Sequence, residues 1–224
     1  MNTCSLNREN TLETNNQTKS GNRKTKVIVD TVNLFQFFGW TLTLNLILVH
    51  LFLKLSNNSN SDKILEVAIL IAKITQTFGG LEILLALLKI SSSSVFTTFT
   101  QFLSRMTVIF VFLSNNDTTS TICFFLIPWS IADSTRSLYY VYKDSRLLGK
   151  LRYNLFLILY PIGCAGEVML MEQRIKGLKG DTNILYYIIR SVQVLFIMGL
   201  VVLYSHLLKQ RKKFYKALNE KKIN

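Results

Sequence analysis

Acidic residues are scarce: 13 Asp and Glu stand against 26 Lys and Arg, for a formal charge of +13. Charged residues of both signs reach only 17%, below the roughly 25% usual in soluble domains. The apolar residues instead fall in blocks of about twenty, the length that crosses a bilayer core, and mean hydropathy is +0.29. That pattern excludes an ordinary soluble domain. An excess of base in a soluble protein would suggest nucleic acid. Here the basic residues sit at the chain ends and in short loops, where membrane topology accounts for them, and no nucleic-acid partner is expected. The three cysteines, Cys4, Cys123 and Cys164, have no paired spacing. Cys123 and Cys164 lie inside apolar runs and read as free thiols, not as a disulfide framework or zinc site. Neither suits a cysteine phosphatase, whose thiolate needs an arginine six positions on; those positions hold Trp129 and Leu170. With only His50 and His206, a multi-histidine metal cluster is not available. No internal repeat and no separate soluble domain are visible. The polar N-terminus is unlike a cleavable signal peptide, so the first span is expected to direct its own insertion.

What is present reads as an all-α polytopic membrane protein, a bundle of six transmembrane helices. Residues 1–30, rich in Asn, Thr, Ser and Lys, suggest a disordered tail, and Asn16-Gln17-Thr18 is a sequon that matters only if that tail is lumenal. Residues 31–208 form the six-span domain and 209–224 a basic tail. The spans fall at 32–53, 64–88, 95–113, 120–142, 151–171 and 183–207. Span 1 carries Asn33, Gln36, Asn45 and His50, expected to bond neighbouring helices. Span 2 carries Glu66 and Lys73, seven apart and able to pair, then Gly79-Gly80 and Glu82. A carboxylate at that depth normally faces a cavity or a partner. Arg105 in span 3 needs the same, and Glu82 is its expected partner. In span 4, Asp133 and Arg136 lie one above the other on one face. Tyr139, Tyr140 and Tyr142 follow as an interfacial belt.

An even number of spans puts both termini on one side. Both tails and the loop with Lys143, Arg146 and Lys150 are basic, which makes that side cytosolic. Loop 5–6, with Arg174, Lys176 and Lys179, argues the other way. Lys221 and Lys222 stand fourth and third from the end, where a dilysine retrieval signal for the endoplasmic reticulum would lie.

Span 5 holds the most unusual chemistry. It is apolar, yet contains Tyr160, Pro161, Gly163, Gly166 and Glu167. Pro161 should bend or open the helix, and the glycines allow close approach of another backbone. Tyr160 and Glu167 are almost two turns apart, on one face and separated by about 10 Å along the axis. Two proton-handling groups along a greasy groove suit an elimination of water, one taking a proton from carbon α and the other protonating the β-hydroxyl. A purely structural arrangement, with Glu167 paired to an arginine such as Arg136 and Tyr160 packing, fits the residues as well. So does a transporter path lined by Glu82, Arg105, Asp133, Arg136 and Glu167.

The run Arg152-Tyr153-Asn154-Leu155-Phe156, with Leu159-Tyr160-Pro161, Gly163 and Glu167, resembles the signature of the very-long-chain (3R)-3-hydroxyacyl-CoA dehydratases. These are also called protein tyrosine phosphatase-like membrane proteins. Pro128-Trp129-Ser130, Asp133, Arg136 and Tyr139-Tyr140 resemble the preceding span, while Leu81-Glu82 and Ser104-Arg105 fit more loosely. The resemblance covers about residues 30–210. It implies a six-span lyase of the endoplasmic reticulum membrane with cytosolic termini, dehydrating (3R)-3-hydroxyacyl-CoA to trans-2-enoyl-CoA in the third step of fatty acid elongation. A non-catalytic scaffold of the elongation complex is the alternative. The catalytic tyrosine and glutamate fall on Tyr160 and Glu167. Glu82, Arg105, Asp133, Arg136, Arg152 and Tyr153 would bind substrate or support the pair, with Arg146, Lys150 and Arg152 meeting the coenzyme A phosphates. No metal or redox cofactor is implied. Expected partners are long-chain 3-hydroxyacyl-CoA, membrane lipid, fatty acid elongase, 3-ketoacyl-CoA reductase and enoyl-CoA reductase. Two departures stand out: Asp133 where the family usually has Glu, and Ser137 where it has an aromatic.

Overall fold

The structure is a computed structural model describing residues 3–88, 95–113, 119–177 and 184–223, with backbone alone at 3–24, 95–98, 177, 185 and 221–223. The loop residues Lys89 to Ser94, Ser114 to Thr118 and the Lys179–Asp181 part of loop 5–6 lie outside the described residues, as does Asn224. Nor are the side chains of the Asn16 sequon, Lys221 or Lys222 described.

Every described element is a helix: α1 (Thr3–Leu55), α2 (Ser61–Phe78), α3 (Gly80–Leu87), α4 (Val95–Thr107), α5 (Thr119–Val141), α6 (Arg146–Gly177) and α7 (Ile184–Ile223). A π-helical turn, Val108–Phe112, extends α4. Taking α2 with α3 as one pass gives six helical passes, the expected polytopic bundle. Four of them, Thr25–Leu55, Ser61–Leu87, Arg146–Lys176 and Tyr186–Glu220, are long and apolar enough to cross a membrane. The third pass is shorter, Phe99–Phe112. The fourth, α5, has the length but is too polar in its second half to face lipid.

That polarity is why α5 lies inside. It packs between α1 and α6, burying Phe125, Leu126, Trp129, Ser130, Asp133 and Ser137. The outer helices turn apolar side chains outward, including Phe38, Phe52, Leu195 and Val202. Such a surface is an aggregation hazard in water and an ordinary surface in lipid. α7 is the most peripheral, running antiparallel along α6, with Arg190 bound to Glu172 at one end and Phe214 on Tyr153 at the other.

Glycines set the close approaches. A Cβ at Gly166 of α6 would lie 2.7 Å from Phe125 Cβ and 3.0 Å from its Cα and N, so only glycine lets α5 and α6 meet there. Gly163, a turn earlier, lies against Trp129. α6 continues through Pro161 without opening. Between α2 and α3 the helix breaks at Gly79, where a Cβ would crowd the Gln76 carbonyl. Glu82 sits in the first turn after the break.

Helix continues beyond the spans at both chain ends. α1 begins at Thr3, and residues 3–30 continue the first span as helix. No proline occurs before Pro128, and in residues 1–30 the one glycine is Gly21, so nothing breaks the backbone. α7 continues through Lys209–Lys222 because Lys, Arg, Leu and Ala are good helix formers. This extension is docked: Phe214 covers Gly149 and Tyr153, and Arg211 and Tyr215 both donate to Asn154 Oδ1.

Span 1 divides its polar groups. Gln36 donates to the Thr75 carbonyl at 3.0 Å and accepts from Trp40 at 3.0 Å. His50 bonds the Ser61 carbonyl through Nδ1 at 2.7 Å. Asn33 and Asn45 instead donate to carbonyls of their own helix, Val29 and Thr41. Lys73 stands over the Phe110 ring and forms no ion pair with Glu66.

Candidate active site

Two adjoining cavities lie among α1 to α7. The smaller, about 60 Å³, is lined by Tyr160, Glu167, Cys164, Trp129, Pro128 and Arg105, among others, and by Leu200 and Leu203 of α7. The larger, about 400 Å³, is lined by Glu82, Arg105, Asp133, Arg136, Arg152 and Tyr153 together with neutral polar groups. Gln101, Arg105, Ala132 and Phe156 line both. All eight site residues expected from the sequence thus face one of two adjoining spaces. The smaller has room for only a few atoms; the larger is of ligand size.

Helical spacing explains the convergence. On α5, Phe125, Trp129, Asp133 and Arg136 follow one another at intervals of four, four and three, forming one face. The Gly163/Gly166 ridge of α6 fits against its first half. That contact sets Glu167, the next residue, beneath Trp129. Trp129 Nε1 donates to Glu167 Oε1 at 2.6 Å, and Glu167 is buried. Tyr160, almost two helical turns earlier along the same face, donates its hydroxyl to the Leu200 carbonyl at 2.9 Å. Its ring stacks on Tyr204 at 5.5 Å between centroids and 17° between planes. The other wall of the ring is Phe156.

The charged groups pair differently from the expectation. Arg105 binds Asp133, and Glu82 binds Arg136. The anticipated Arg105–Glu82 pair is replaced because Asp133, buried on α5, lies within reach of Arg105. Asp133 also stands 3.9 Å from Arg136 Nε, joining the two pairs. Glu167 has no ion pair with Arg136; Trp129 is its partner, and Arg105 lies close enough to interact electrostatically. Arg105 lies over the Trp129 ring, 4.8 Å from its centroid, a favourable cation–π arrangement. A continuous chain therefore runs Glu82–Arg136–Asp133–Arg105–Trp129–Glu167.

At the mouth of the larger cavity, the Arg152 guanidinium sits 4.8, 4.7 and 5.3 Å from the rings of Tyr139, Tyr140 and Tyr153, and donates to Tyr140 Oη at 3.2 Å. Tyr139 and Tyr140 thus clasp an arginine where an interfacial belt was expected. Lys143 lines the cavity beside them. Arg146 and Lys150, expected at the phosphates, are exposed and do not line it.

Sequence reasoning missed the role of Trp129, although its spacing of four from Asp133 was a usable signal. It also missed Gln36, Gln76, His206 and Gln210, which line the larger cavity. Those four come from α1, α2 and α7, and only tertiary packing brings them together. Among the described residues no three His, Cys, Asp or Glu side chains are grouped to hold a metal ion.

The family model described as "Protein tyrosine phosphatase-like protein, PTPLA" matches residues 76–217, every site residue included. The chain belongs to this protein tyrosine phosphatase-like family. A Mus musculus relative, "Very-long-chain (3R)-3-hydroxyacyl-CoA dehydratase 1", is 27% identical over 81% of this chain and 70% of its own. The Caenorhabditis elegans dehydratase hpo-8 is 27% identical over 85% of this chain and 95% of its own. A Schizosaccharomyces pombe relative named as a probable dehydratase of the same kind is 31% identical over 63% of this chain and 72% of its own. No solved structure matches. Despite the family's name, neither Cys123 nor Cys164 has an arginine six positions on, and Cys164 lies against Tyr160 and Glu167 instead of a phosphate-binding loop.

Proposed function

We propose that this protein is a membrane-embedded lyase that removes water from a very-long-chain (3R)-3-hydroxyacyl-CoA, giving the trans-2-enoyl-CoA during fatty acid elongation. The carrying observation is that Tyr160 and Glu167 line one small cavity that shares Gln101, Arg105, Ala132 and Phe156 with a larger charged one. The relatives' names supply the substrate class.

Glu167 takes the proton from carbon α. A carboxylate shielded from water is closer to the needed basicity at neutral pH than a tyrosinate. The electron pair forms the α,β double bond as the C3–O bond breaks. Tyr160 gives its hydroxyl proton to the departing oxygen, which leaves as water, the substrate hydroxyl replacing the Leu200 carbonyl as acceptor. Proton return from Glu167 to the tyrosinate closes the cycle. The overall change is redox-neutral, so the proposed reaction calls on no electron carrier. The acyl chain leaves the small cavity between α5, α6 and α7 past Leu159, Leu200 and Leu203. The thioester and pantetheine arm occupy the larger cavity. The coenzyme A phosphates meet Arg152 and Lys143, both long cationic side chains at its mouth.

The same reading assigns the endoplasmic reticulum membrane, with both termini cytosolic, as the setting. An elongase, a 3-ketoacyl-CoA reductase and an enoyl-CoA reductase would be its functional neighbours, since their chemistry supplies the hydroxyacyl thioester and consumes the enoyl product. The test is turnover of a long-chain 3-hydroxyacyl-CoA by purified wild type, Tyr160→Phe and Glu167→Gln. Loss of about 10²–10⁴-fold in kcat is expected for each variant. Undiminished turnover in both would refute the catalytic pair. A folded but inactive wild type would favour a scaffold, and proton-coupled flux in liposomes a transporter.

A further inference from the structure

We infer that Trp129 is a positioning residue for Glu167, an inference that rests on the dehydratase reading above. Its indole N–H holds Oε1 and leaves Oε2 to take the substrate's α-proton.

Three observations carry this. The first is direction. An indole nitrogen donates and cannot accept, so the 2.6 Å contact requires Oε1 to be an acceptor. Oε1 can fill that role as a carboxylate oxygen or as the carbonyl oxygen of the neutral acid. The proton that Glu167 gains and loses therefore resides on Oε2, for which no donor is found among the described residues. The second is rigidity. Trp129 is 4% exposed, held edge-on by Phe125 at 5.3 Å and 74° and by Trp40 at 6.4 Å and 84°. Arg105 lies over its ring, and the backbone of Gly163 packs beside Cδ1. The ring is thus fixed by packing on its edges and one face. The third is location. Trp129, Glu167 and Tyr160 line the same small cavity, so a rotation of the carboxyl would change the very distance across which the proton moves.

The donor is also joined to the charge chain. Arg105, pinned by Asp133, is the group covering the indole face. Substrate binding in the larger cavity and carboxyl orientation in the smaller one thus meet at Trp129.

The measurement is steady-state turnover of a long-chain 3-hydroxyacyl-CoA by purified full-length protein in lipid nanodiscs, with melting temperature recorded in parallel. Wild type and Glu167→Gln are controls: turnover in the first and its loss in the second establish the reading on which this rests. Trp129→Phe keeps an aromatic ring but removes the donor. Genetic incorporation of 3-benzothienylalanine at position 129 replaces only the N–H by sulfur, preserving shape, and decides the matter where Trp129→Phe folds poorly. Trp129→His restores a ring N–H in a smaller frame. The expected result is a fall in kcat of roughly 10–100-fold for the donor-less variants. KM should stay within about twofold and melting temperature near wild type for the isostere, with Trp129→His above Trp129→Phe in kcat. A wild-type kcat in the isostere, or a loss confined to KM, overturns the inference while leaving the dehydratase reading intact. An inactive wild type, or an active Glu167→Gln, refutes the reading instead.

Discussion

Arg136 of α5 and Glu82, in the first turn of α3 after the break at Gly79, form an ion pair. The pair is largely enclosed, with the two side chains 27% and 14% exposed. Removing one partner strands the other where water is scarce, a defect that costs about 3–5 kcal/mol when burial is complete. Glu82→Gln should therefore destabilise the protein by about 2–3 kcal/mol, the partial exposure lowering the figure. Thermal melting in detergent measures it. The charge-reversed double variant Glu82→Arg with Arg136→Glu should recover part of the loss. An unchanged melting temperature in Glu82→Gln would mean that Asp133 alone satisfies Arg136.

Gly166→Ala tests the α5–α6 contact. The added carbon would sit 2.7 Å from Phe125 Cβ and 3.0 Å from two of its backbone atoms. Backbone cannot yield as a flexible side chain does, so the helices must separate, at about 1–3 kcal/mol. Activity should suffer more than stability, because the next residue is Glu167. Gly199→Ala provides the contrast: nothing lies within 4 Å of a Cβ there. A methyl at that site should leave activity unchanged and stabilise α7 by up to about 1 kcal/mol.

How much of this was legible beforehand follows from what each residue depends on. Tyr160 and Glu167 were readable because they share one helix, and helical periodicity alone puts them on one face. Asp133 and Arg136 were readable for the same reason. The partner of Arg105 was not, since choosing Asp133 over Glu82 depends on how α4 is rotated against α5, which periodicity does not specify. The docked end of α7 was hidden by its composition. Lys212, Lys213 and Lys216 read simply as part of a basic tail, and only Gly149 opposite Phe214 shows why the helix has a seat on α6. The helical backbone before residue 31 was obscured in the same way, polar content being taken for disorder.

The Arg105–Asp133 pair makes a further test. Asp133 holds Arg105 away from Glu167, the other carboxylate that it can reach. With Asp133→Asn, Arg105 should swing toward Glu167 and occupy the oxygen meant for substrate. We expect kcat to fall at least about tenfold with little change in KM, the equivalent of roughly 1.4 kcal/mol in the barrier. Asp133→Glu keeps the charge on a longer arm and should stay within about threefold of wild type. Steady-state kinetics on both separates charge from arm length. Equal losses would show that geometry, and not the negative charge, is what position 133 supplies.

Arg152 offers a test of where the substrate's polar end lies. Its guanidinium is stacked among three tyrosine rings at 4.8, 4.7 and 5.3 Å. A flat, delocalised cation fits between ring faces, whereas an ammonium is a compact, strongly hydrated charge that cannot stack. Arg152→Lys keeps the charge but loses both the clasp and the two-pronged geometry that matches a phosphate. With a full acyl-CoA, KM should rise about tenfold, the loss of roughly 1.4 kcal/mol of binding, while kcat stays within about twofold. The matching 3-hydroxyacyl-pantetheine thioester carries no phosphate, so wild type and Arg152→Lys should bind it alike. If the variant weakens binding of both compounds equally, Arg152 acts on the thioester arm or on the packing of α5 against α6, and the phosphates must be held elsewhere.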